Sequence, residues 1–469
     1  MSAPEWTLEG LAEAIRTKAV SPVEAAQECL DRIARLDGRL RAFITLDAEG
    51  ALRAAKECEA DAAAGRWRGA LHGVPLAYKD LCHIRGLPTS CGTKTPEYFF
   101  AEHDCTAVAR LSAAGAITLG KLNMTELAMG PFGDNVHHGH ARNPWRDGHV
   151  TGGSSSGSAV AVTAALALGA LGSDTGGSIR LPAACCGIVG LKPTYGRVSR
   201  AGVMPLSWSN DHVGPMTRTV RDAALMLQAI AGHDHRDATS SRRPVPDYLA
   251  GIEAGVAGLR VAVPENFFFR GLHPEMEAGV REAGRMMEKL GAQVVELAIP
   301  DPQVMNDVAT IVSRCEGAAA HARLAREHPE QIQPVVRARL ELGFRISAYD
   351  YLQALRLRAR LTRAFLREVF AEADVLVAPV IPEPAPPLAH AIEGTVEELT
   401  ERQGRFARLT RSFNGLGLPV LALPCGVSQA GLPLALQIAG RPFDEATILR
   451  VGRAYERAAG WSARRPALD

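Results

Sequence analysis

The sequence predicts an α/β protein: one large domain with a central mixed β-sheet that helices cover on both faces. Short apolar runs typical of buried strands alternate with amphipathic helical segments through most of the chain. No internal repeat and no long linker interrupts this alternation, so residues 1–469 are expected to form a single domain. The 469 residues, 47% of them hydrophobic, are enough to bury one large core.

The first half of the chain begins with a predicted helix from Pro22 to about Arg35. Ser21 is placed to cap it, Pro22 occupies the first helical position, and Glu24 occupies the third, which together form a capping-box pattern. The further elements predicted in this half are strands at 42–46, 73–80, 116–119 and 171–173 and helices at 51–64, 107–114, 159–168 and 223–231.

The second half repeats the alternation in larger pieces. Residues 304–371 are predicted to be almost wholly helical, and a proline-rich loop is expected at 381–387. The other predicted elements are strands at 259–263, 294–297, 375–379, 419–423 and 434–438 and helices at 276–290 and 445–458.

Charge and cysteine content exclude several classes of partner. The chain has 52 Lys and Arg against 51 Asp and Glu, so its net charge of +1 gives no reason to expect nucleic acid or a membrane as partner. The longest apolar run, 159–171, is too short to cross a bilayer. Residues 1–6 do not resemble a signal peptide, and the nine scattered cysteines are expected to be reduced thiols. A cytoplasmic location is therefore expected.

Two glycine-serine segments and one lysine carry the chemistry. Residues 152–158 read Gly-Gly-Ser-Ser-Ser-Gly-Ser, and residues 173–180 read Ser-Asp-Thr-Gly-Gly-Ser-Ile-Arg. Glycine-rich backbone beside a serine can direct N–H groups at an oxyanion while the hydroxyl attacks a carbonyl carbon. Lys79 follows an apolar run, and a buried lysine can be neutral and accept a proton. Taken singly, each feature also fits a capping serine, a flexible loop or a solvated lysine.

Other catalytic patterns are weaker. The histidine-rich stretch 137–140 lacks the ligand spacing of a zinc site. Residues 153–157 are one residue too long for the Gly-x-Ser-x-Gly turn of a Ser-His-Asp hydrolase, and no phosphate-binding loop is present. No metal and no cofactor is expected.

Several segments in order resemble the amidase signature family. They are Gly73-Val74-Pro75-Leu76 with Lys79-Asp80, Asn143-Pro144-Trp145, the two glycine-serine segments, and Gly187-Ile188-Val189-Gly190-Leu191-Lys192-Pro193-Thr194. The dense match covers about residues 70–220, which we call the signature core, and the coarse pattern fits the family to the C-terminus. The resemblance implies an amidohydrolase that cleaves a carboxylic amide, or an aryl amide, carbamate or ester, through a seryl acyl-enzyme.

The resemblance also implies residue roles. Ser178 would be the nucleophile, Ser154 would follow a cis peptide bond and relay protons, and Lys79 would be the final base. Asp174 and Arg180 would support the loop that carries the nucleophile. The oxyanion hole would be formed by the backbone amides of Thr175, Gly176, Gly177 and Ser178.

Substrate-binding residues are also implied by the resemblance. Ala128 and Met129 should border the nucleophile. Family members differ most in the helical region 304–371, which would build the pocket, and Cys315 in that region is a candidate lining residue. A buried structural cysteine is the alternative for Cys315.

Three functions remain open at this point: a stand-alone amidase, the glutaminase subunit of the tRNA-dependent amidotransferase, and a binding homologue without catalysis. The glutaminase subunit typically has glutamine where this chain has Leu181, and a Ser-Leu-Asp-Gln run where this chain has Ser209 to His212. These departures favour the stand-alone amidase. A small-molecule amide is the expected partner, and the family makes a homodimer possible.

Overall fold

The computed structural model describes residues 6–468; residues 1–5, on which the expectation of no signal peptide largely rests, lie outside the described residues. Within 6–468 the helices are α1 (Leu8–Arg16), α2 (Pro22–Leu40), α3 (Ala48–Ala63), α4 (Thr106–Ala113), α5 (Ser156–Thr163), α6 (Arg180–Cys186), α7 (Val220–Ile230), α8 (Pro274–Lys289), α9 (Pro302–Ala320), α10 (Ala322–Glu327), α11 (Pro334–Arg345), α12 (Ala348–Glu372), α13 (Ala389–Ile392), α14 (Val396–Phe406), α15 (Arg411–Gly415) and α16 (Glu445–Ala459). The strands are β1 (Phe43–Leu46), β2 (Pro75–Lys79), β3 (Pro88–Thr89), β4 (Phe99–Phe100), β5 (Ile117–Leu122), β6 (Gly169–Asp174), β7 (Val189–Lys192), β8 (His212–Thr217), β9 (Arg260–Pro264), β10 (Gln293–Leu297), β11 (Val375–Pro379), β12 (Val420–Val427) and β13 (Pro433–Gly440).

The central sheet is mixed, as predicted. In the described part of the chain it has eleven strands in the order β1-β5-β2-β6-β8-β7-β12-β13-β11-β9-β10. Strand β2 runs parallel to β5 and β6, whereas β8 pairs antiparallel with β6 and β7. Every residue of β2, β6, β7, β8, β11 and β13 is buried, so the sheet is covered on both faces.

The capping pattern predicted at the start of α2 is confirmed. Ser21 Oγ accepts a hydrogen bond from the Glu24 N–H at 3.1 Å. The Glu24 carboxylate accepts in return from the Ser21 N–H at 2.7 Å. The helix continues to Leu40, five residues beyond the predicted end, because its apolar face stays buried to Leu40.

The long helical region differs from the prediction in its continuity. Four helices, α9 to α12, replace one nearly continuous segment; Pro329 lies between α10 and α11, and Pro334 begins α11. Proline cannot donate the helical hydrogen bond and clashes with the preceding turn, but it is favoured at a first helical position, where Pro334 lies. These breaks let α9 pack against α11, α12 and α15.

Two central strands, β7 and β8, were not predicted from the sequence. Strand β7 has only four residues, and Gly214 and Pro215 interrupt the usual strand composition of β8. Gly214 is required by close packing, because a Cβ there would lie 2.1 Å from the Leu191 carbonyl oxygen in the neighbouring strand. Helix α5 also ends earlier than predicted, since Ala165 adopts a left-handed conformation with φ 54°.

Within residues 6–468 no helix is both long enough and apolar enough to cross a membrane.

Candidate active site

The candidate catalytic residues meet where two parallel strands end at the same edge of the sheet. Lys79 is the last residue of β2, and Asp174 is the last residue of the adjacent strand β6. The loop after β6 carries Ser178, and the loop before α5 carries Ser154. Helix α5 packs against β2 and β6, so the two glycine-serine segments lie side by side. Such strand ends are where open α/β sheets commonly place their sites.

Lys79 is completely buried and bonded to two serines. Its Nζ lies 2.6 Å from Ser154 Oγ and 2.8 Å from Ser173 Oγ. No carboxylate of the described residues lies within 4 Å of this amine; the neighbouring Asp80 pairs with Lys121 at 3.0 Å instead. Burial therefore lowers the pKa of Lys79 to about 7. A substantial fraction of the amine is neutral near neutral pH, as a proton acceptor requires.

The peptide bond between Gly153 and Ser154 is cis, as the family resemblance implied. A Cβ at Gly153 would lie 2.5 Å from the Gly130 carbonyl oxygen and 2.7 Å from the Gly133 nitrogen. Only glycine therefore fits here. The Ser154 carbonyl accepts a hydrogen bond from the Thr125 N–H at 3.1 Å, which fixes the loop that presents the serine to Lys79.

Ser178 opens onto a cavity of about 110 Å³. Its relative exposure is 9%, whereas Ser154 and Lys79 are fully buried behind it. The residues lining the cavity are Ala128, Met129, Gly130, Pro131, Thr175, Gly176, Ser178, Leu181, Leu206, Ala309, Thr310, Ser313, Arg314, Arg339, Leu340, Ala407 and Arg411. The nucleophile predicted from the sequence thus faces the cavity, and the predicted relay and base lie away from it.

The predicted oxyanion hole needs one correction. The Gly177 N–H donates to Asp174 Oδ1 at 2.7 Å, and Gly177 does not line the cavity. Thr175, Gly176 and Ser178 do line it, and their N–H groups have no acceptor among the described residues. Gly177 is needed for a different reason: its φ is +130°, and a Cβ there would lie 2.4 Å from Thr410 Oγ1.

Asp174 and Arg180 form a buried ion pair that holds the nucleophile loop. Arg180 Nε lies 3.0 Å from Asp174 Oδ2, and both side chains are fully buried. Burial by itself raises the pKa of Asp174, but the Arg180 guanidinium outweighs it and holds that pKa below its ordinary value. The Asp174 carboxylate also accepts from the Ile179 N–H at 3.2 Å. The turn around Ser178 is therefore built on one permanently charged carboxylate.

Sequence reasoning missed the residues that complete this anchor. Arg180 donates to Gln437 Oε1 at 2.9 Å and to Asn414 Oδ1 at 2.7 Å, and Asn414 donates to Asp174 Oδ1 at 2.8 Å. These partners lie more than 200 residues along the chain from Arg180. Ser173 was also missed as a partner of Lys79, although it begins the second glycine-serine segment. No local pattern could have assigned these roles.

The predicted pocket residues are only partly brought together. Ala128 and Met129 line the cavity, and so does Leu181. Cys315 does not line it, so the structure does not support Cys315 as a substrate contact. Thr310, Ser313 and Arg314 share the cavity-facing side of α9, and the next residue along a helix points about 100° away.

Histidines of the stretch 137–140 make hydrogen bonds to neighbouring protein groups. His137 Nε2 lies 2.6 Å from Glu126 Oε1, and His140 Nδ1 accepts from the Asn135 N–H at 3.0 Å. Among residues 6–468 no three His, Cys, Asp or Glu side chains are placed to bind a metal ion together.

The family model described as Amidase matches residues 24–449. The chain belongs to the amidase signature family. An amidase from Pseudomonas putida is 44% identical to it, with 98% of each chain covered. A subunit of glutamyl-tRNA(Gln) amidotransferase from Roseiflexus sp. (strain RS-1) is 42% identical, with 99% of this chain and 98% of the relative covered.

Solved structures show the same fold. A structure of a vestigial protein complex, described as revealing the evolutionary origins of an s-triazine catabolic enzyme, superposes with a TM-score of 0.91 at 32% identity and covers 98% of this chain and 100% of its own. This amidase-family chain is thus an amidohydrolase of the class that cleaves amide C–N bonds. Its relatives include both an amidase and amidotransferase subunits, so its own site has to decide between the two reactions.

Proposed function

We propose that this chain is a stand-alone amidase that cleaves a small carboxylic amide through an acyl-enzyme on Ser178. The observation that carries the proposal is the hydrogen bond between the buried Lys79 amine and Ser154 Oγ, directly behind a cavity that contains Ser178. A neutral amine at the end of a serine pair can activate a hydroxyl without a metal or a histidine.

Acylation begins with the lone pair of neutral Lys79. Ser173 Oγ can accept one N–H of the amine, which leaves the lone pair free for the Ser154 hydroxyl proton. Ser154 Oγ in turn takes the proton of Ser178 as Ser178 Oγ bonds to the amide carbon. The Lys79–Ser154 contact is observed at 2.6 Å, and the transfer from Ser178 to Ser154 belongs to the proposal.

The negative charge that develops on the amide oxygen is accepted by backbone donors. The free N–H groups of Thr175, Gly176 and Ser178 line the cavity at this point. Each such donor typically contributes about 3 kcal/mol to transition-state stabilisation. The proton then returns from Lys79 through Ser154 to the amide nitrogen, the C–N bond breaks, and ammonia or an amine leaves.

Deacylation uses the same relay. A water molecule gives a proton through Ser154 to Lys79 while its oxygen bonds to the ester carbon. The bond between that carbon and Ser178 Oγ breaks, Ser178 regains a proton from the relay, and the acid is released. Each proton that Lys79 accepts is given back before the next step, so the proposed reaction needs no cofactor.

The test is hydrolysis by the purified single chain with no partner added. A panel of p-nitroacetanilide, butyramide, succinamate and glutamine is followed by release of p-nitroaniline or ammonia. We expect turnover of at least one amide that lacks an α-ammonium group. If the chain turned over none of them and a serine-directed fluorophosphonate failed to label it, the proposal would be wrong.

A second candidate is the glutaminase subunit of a tRNA-dependent amidotransferase, which the similarity to the glutamyl-tRNA(Gln) amidotransferase relative favours. Against it, Leu181 presents an apolar side chain to the cavity, where a polar contact to glutamine would be expected. The same panel separates the two candidates: preference for glutamine over the other amides would support the glutaminase.

A further inference from the structure

Three arginines from separate helices line the cavity beside Ser178. Arg314 lies on α9, Arg339 on α11 and Arg411 at the start of α15. All three are half-buried and reach the same small space. The breaks between the helices described above are what bring α9, α11 and α15 together there.

None of these three guanidinium groups has a protein partner of its own. Among residues 6–468 no carboxylate oxygen lies within 4 Å of Arg314, Arg339 or Arg411, and their side chains donate no hydrogen bond. The carboxylates that act on them at longer range are Asp134, on Arg339, and Asp307, on Arg411. The cavity is therefore lined by unpaired cations.

Two other arginines, the fully buried Arg180 and the half-buried Arg358, are both paired. Arg180 has Asp174, Asn414 and Gln437, and Arg358 donates to the carbonyl oxygens of Gly415 and Ser209. Such pairing is the rule because a buried charge without a partner is costly. The three cavity arginines depart from that rule at the place where the substrate would bind.

The lowered pKa values of these arginines agree with their lack of carboxylate partners. Burial lowers the pKa of Arg339 to about 9, and the nearby guanidinium groups of Arg411 and Arg314 add to the effect. Burial likewise lowers the pKa of Arg411 to about 10, with Arg314 contributing. The three guanidinium groups remain charged at neutral pH but repel one another. An anion between them would offset both the cost of their burial and their mutual repulsion.

The rest of the lining contains no carboxylate that would pair with a cation. No aspartate or glutamate lines the cavity among the described residues; the apolar lining residues include Ala128, Met129, Leu181, Leu206 and Ala407. An ammonium group on the substrate would lie near three positive charges, and only uncharged groups such as the Thr310 and Ser313 hydroxyls would be available to it in the lining.

We infer that the substrate is an amide that also carries a carboxylate, and that it has no ammonium group next to that carboxylate. The planar guanidinium fork matches a carboxylate and can bind it with two parallel hydrogen bonds. The cavity of about 110 Å³ has room for a small acid-amide beside Ser178. The inference rests on the proposed function and specifies the substrate class of that same site.

The test compares isosteric amides on the full chain. Succinamate and butyramide differ only in a carboxylate against a methyl group, and asparagine is succinamate with an added α-ammonium group. We expect kcat/KM for succinamate to exceed that for butyramide by about tenfold to a hundredfold, the range for a charge-assisted hydrogen bond, and asparagine to be poorer than succinamate. Equal values for succinamate and butyramide would overturn the inference.

Substitutions show which arginines are responsible for the preference for succinamate. Arg339→Gln should reduce the ratio of succinamate to butyramide kcat/KM by about tenfold or more, mainly through KM, and Arg339→Lys should restore part of it. The matched control is Arg337→Gln on the same helix, because Arg337 is 41% exposed and pairs with Glu341 at 3.5 Å. The control should keep the wild-type ratio. An unchanged ratio in both Arg339→Gln and Arg411→Gln would contradict the inference.

A binding measurement separates this inference from the proposed catalysis. Succinate is titrated by calorimetry into the Ser178→Ala chain, with succinamide as the neutral control. Succinate should bind at least about tenfold more tightly than succinamide, and Arg339→Gln should remove the difference. Preferred succinate binding without turnover of any amide would support the anion site and reject the catalytic proposal. Amide turnover without preferred succinate binding would support the catalytic proposal and reject the anion site.

Discussion

The signature core and the helices that face it differ in how tightly their functional side chains are held. In the core, Lys79, Ser154 and Arg180 are fully buried, and every polar contact to them comes from the protein. In the facing helices, Arg339 and Arg411 are half-buried and have no protein partner within the described residues. If the proposed function is right, the reacting groups are held in a closed network before the substrate binds, whereas the arginines that select it gain their partner only from the substrate.

This difference makes two kinds of mutation distinguishable. A change in the core should affect all amides alike, because it alters the reacting groups or their support. A change in the facing helices should affect the choice among amides, as expected for Arg339→Gln. Substitutions in the two regions are therefore expected to differ in both the size and the kind of their effect.

Replacing the nucleophile should have the largest effect. Ser178→Ala removes the atom that forms the acyl-enzyme, and kcat for every amide in the panel should fall by about 10⁴-fold or more. The thermal midpoint should remain close to that of the wild-type chain, since Ser178 Oγ makes no hydrogen bond to the described residues. Retention of more than about a tenth of the activity would move the nucleophile elsewhere.

The role of Lys79 as the base should be visible in how kcat/KM depends on pH. Burial lowers the pKa of Lys79 to about 7, and only the neutral amine accepts a proton. The value of kcat/KM should therefore rise as pH increases through about 7 and then level off. Lys79→Ala should lower kcat by about 10³-fold, whereas Lys289→Ala, an exposed lysine at the end of α8, should be unchanged. A rate that falls as pH rises through 7 would contradict the role of Lys79.

The anchor of the core should matter for stability. Asp174→Asn leaves the Arg180 guanidinium buried without a counter-charge, which typically costs about 3–5 kcal/mol of unfolding free energy. The control is Asp374→Asn, whose carboxylate is 23% exposed and pairs with Arg441 at 3.3 Å. That change should cost only about 1 kcal/mol. Urea unfolding measures the free energy of unfolding of both variants. Equal losses would show that the buried Asp174–Arg180 pair stabilises the fold no more than the exposed pair does.

Cys315 should show the smallest effect. Its side chain does not line the cavity, although its neighbour Arg314 does. Cys315→Ser should change kcat/KM for the preferred amide by less than about twofold, the range typical of a site without direct contact. A large rise in KM would instead bring Cys315 into the substrate site and would sharpen the map of the facing helices.

The sequence predicted the core far better than the facing helices, and the reason is physical. Ser154 and Ser178 each follow a glycine that no other residue can replace, because a Cβ would clash at Gly153 and at Gly177, so the local pattern reveals both serines. Lys79 is revealed by the apolar run before it. The donation of the Gly177 N–H to Asp174 could not be predicted, because it depends on how the turn closes in three dimensions.

The arginines show the opposite case. Arg314, Arg339 and Arg411 come from three helices, and no spacing or motif connects them along the chain. Their meeting depends on the proline-containing break between α10 and α11 and on the packing of α9 against α15. The composition of the chain, with its net charge of +1, also gives no hint of a cationic cavity. Only the tertiary structure could reveal the cluster.

We propose that this chain, without a partner, activates Ser178 through Ser154 and a neutral Lys79. The most direct test is to label the purified chain with a serine-directed fluorophosphonate at a series of pH values and to map the adduct by mass spectrometry. We predict a single adduct on Ser178, with no partner protein present and with a labelling rate that rises through about pH 7. An adduct on Ser154, or a labelling rate on Ser178 that does not change with pH, would contradict the claim.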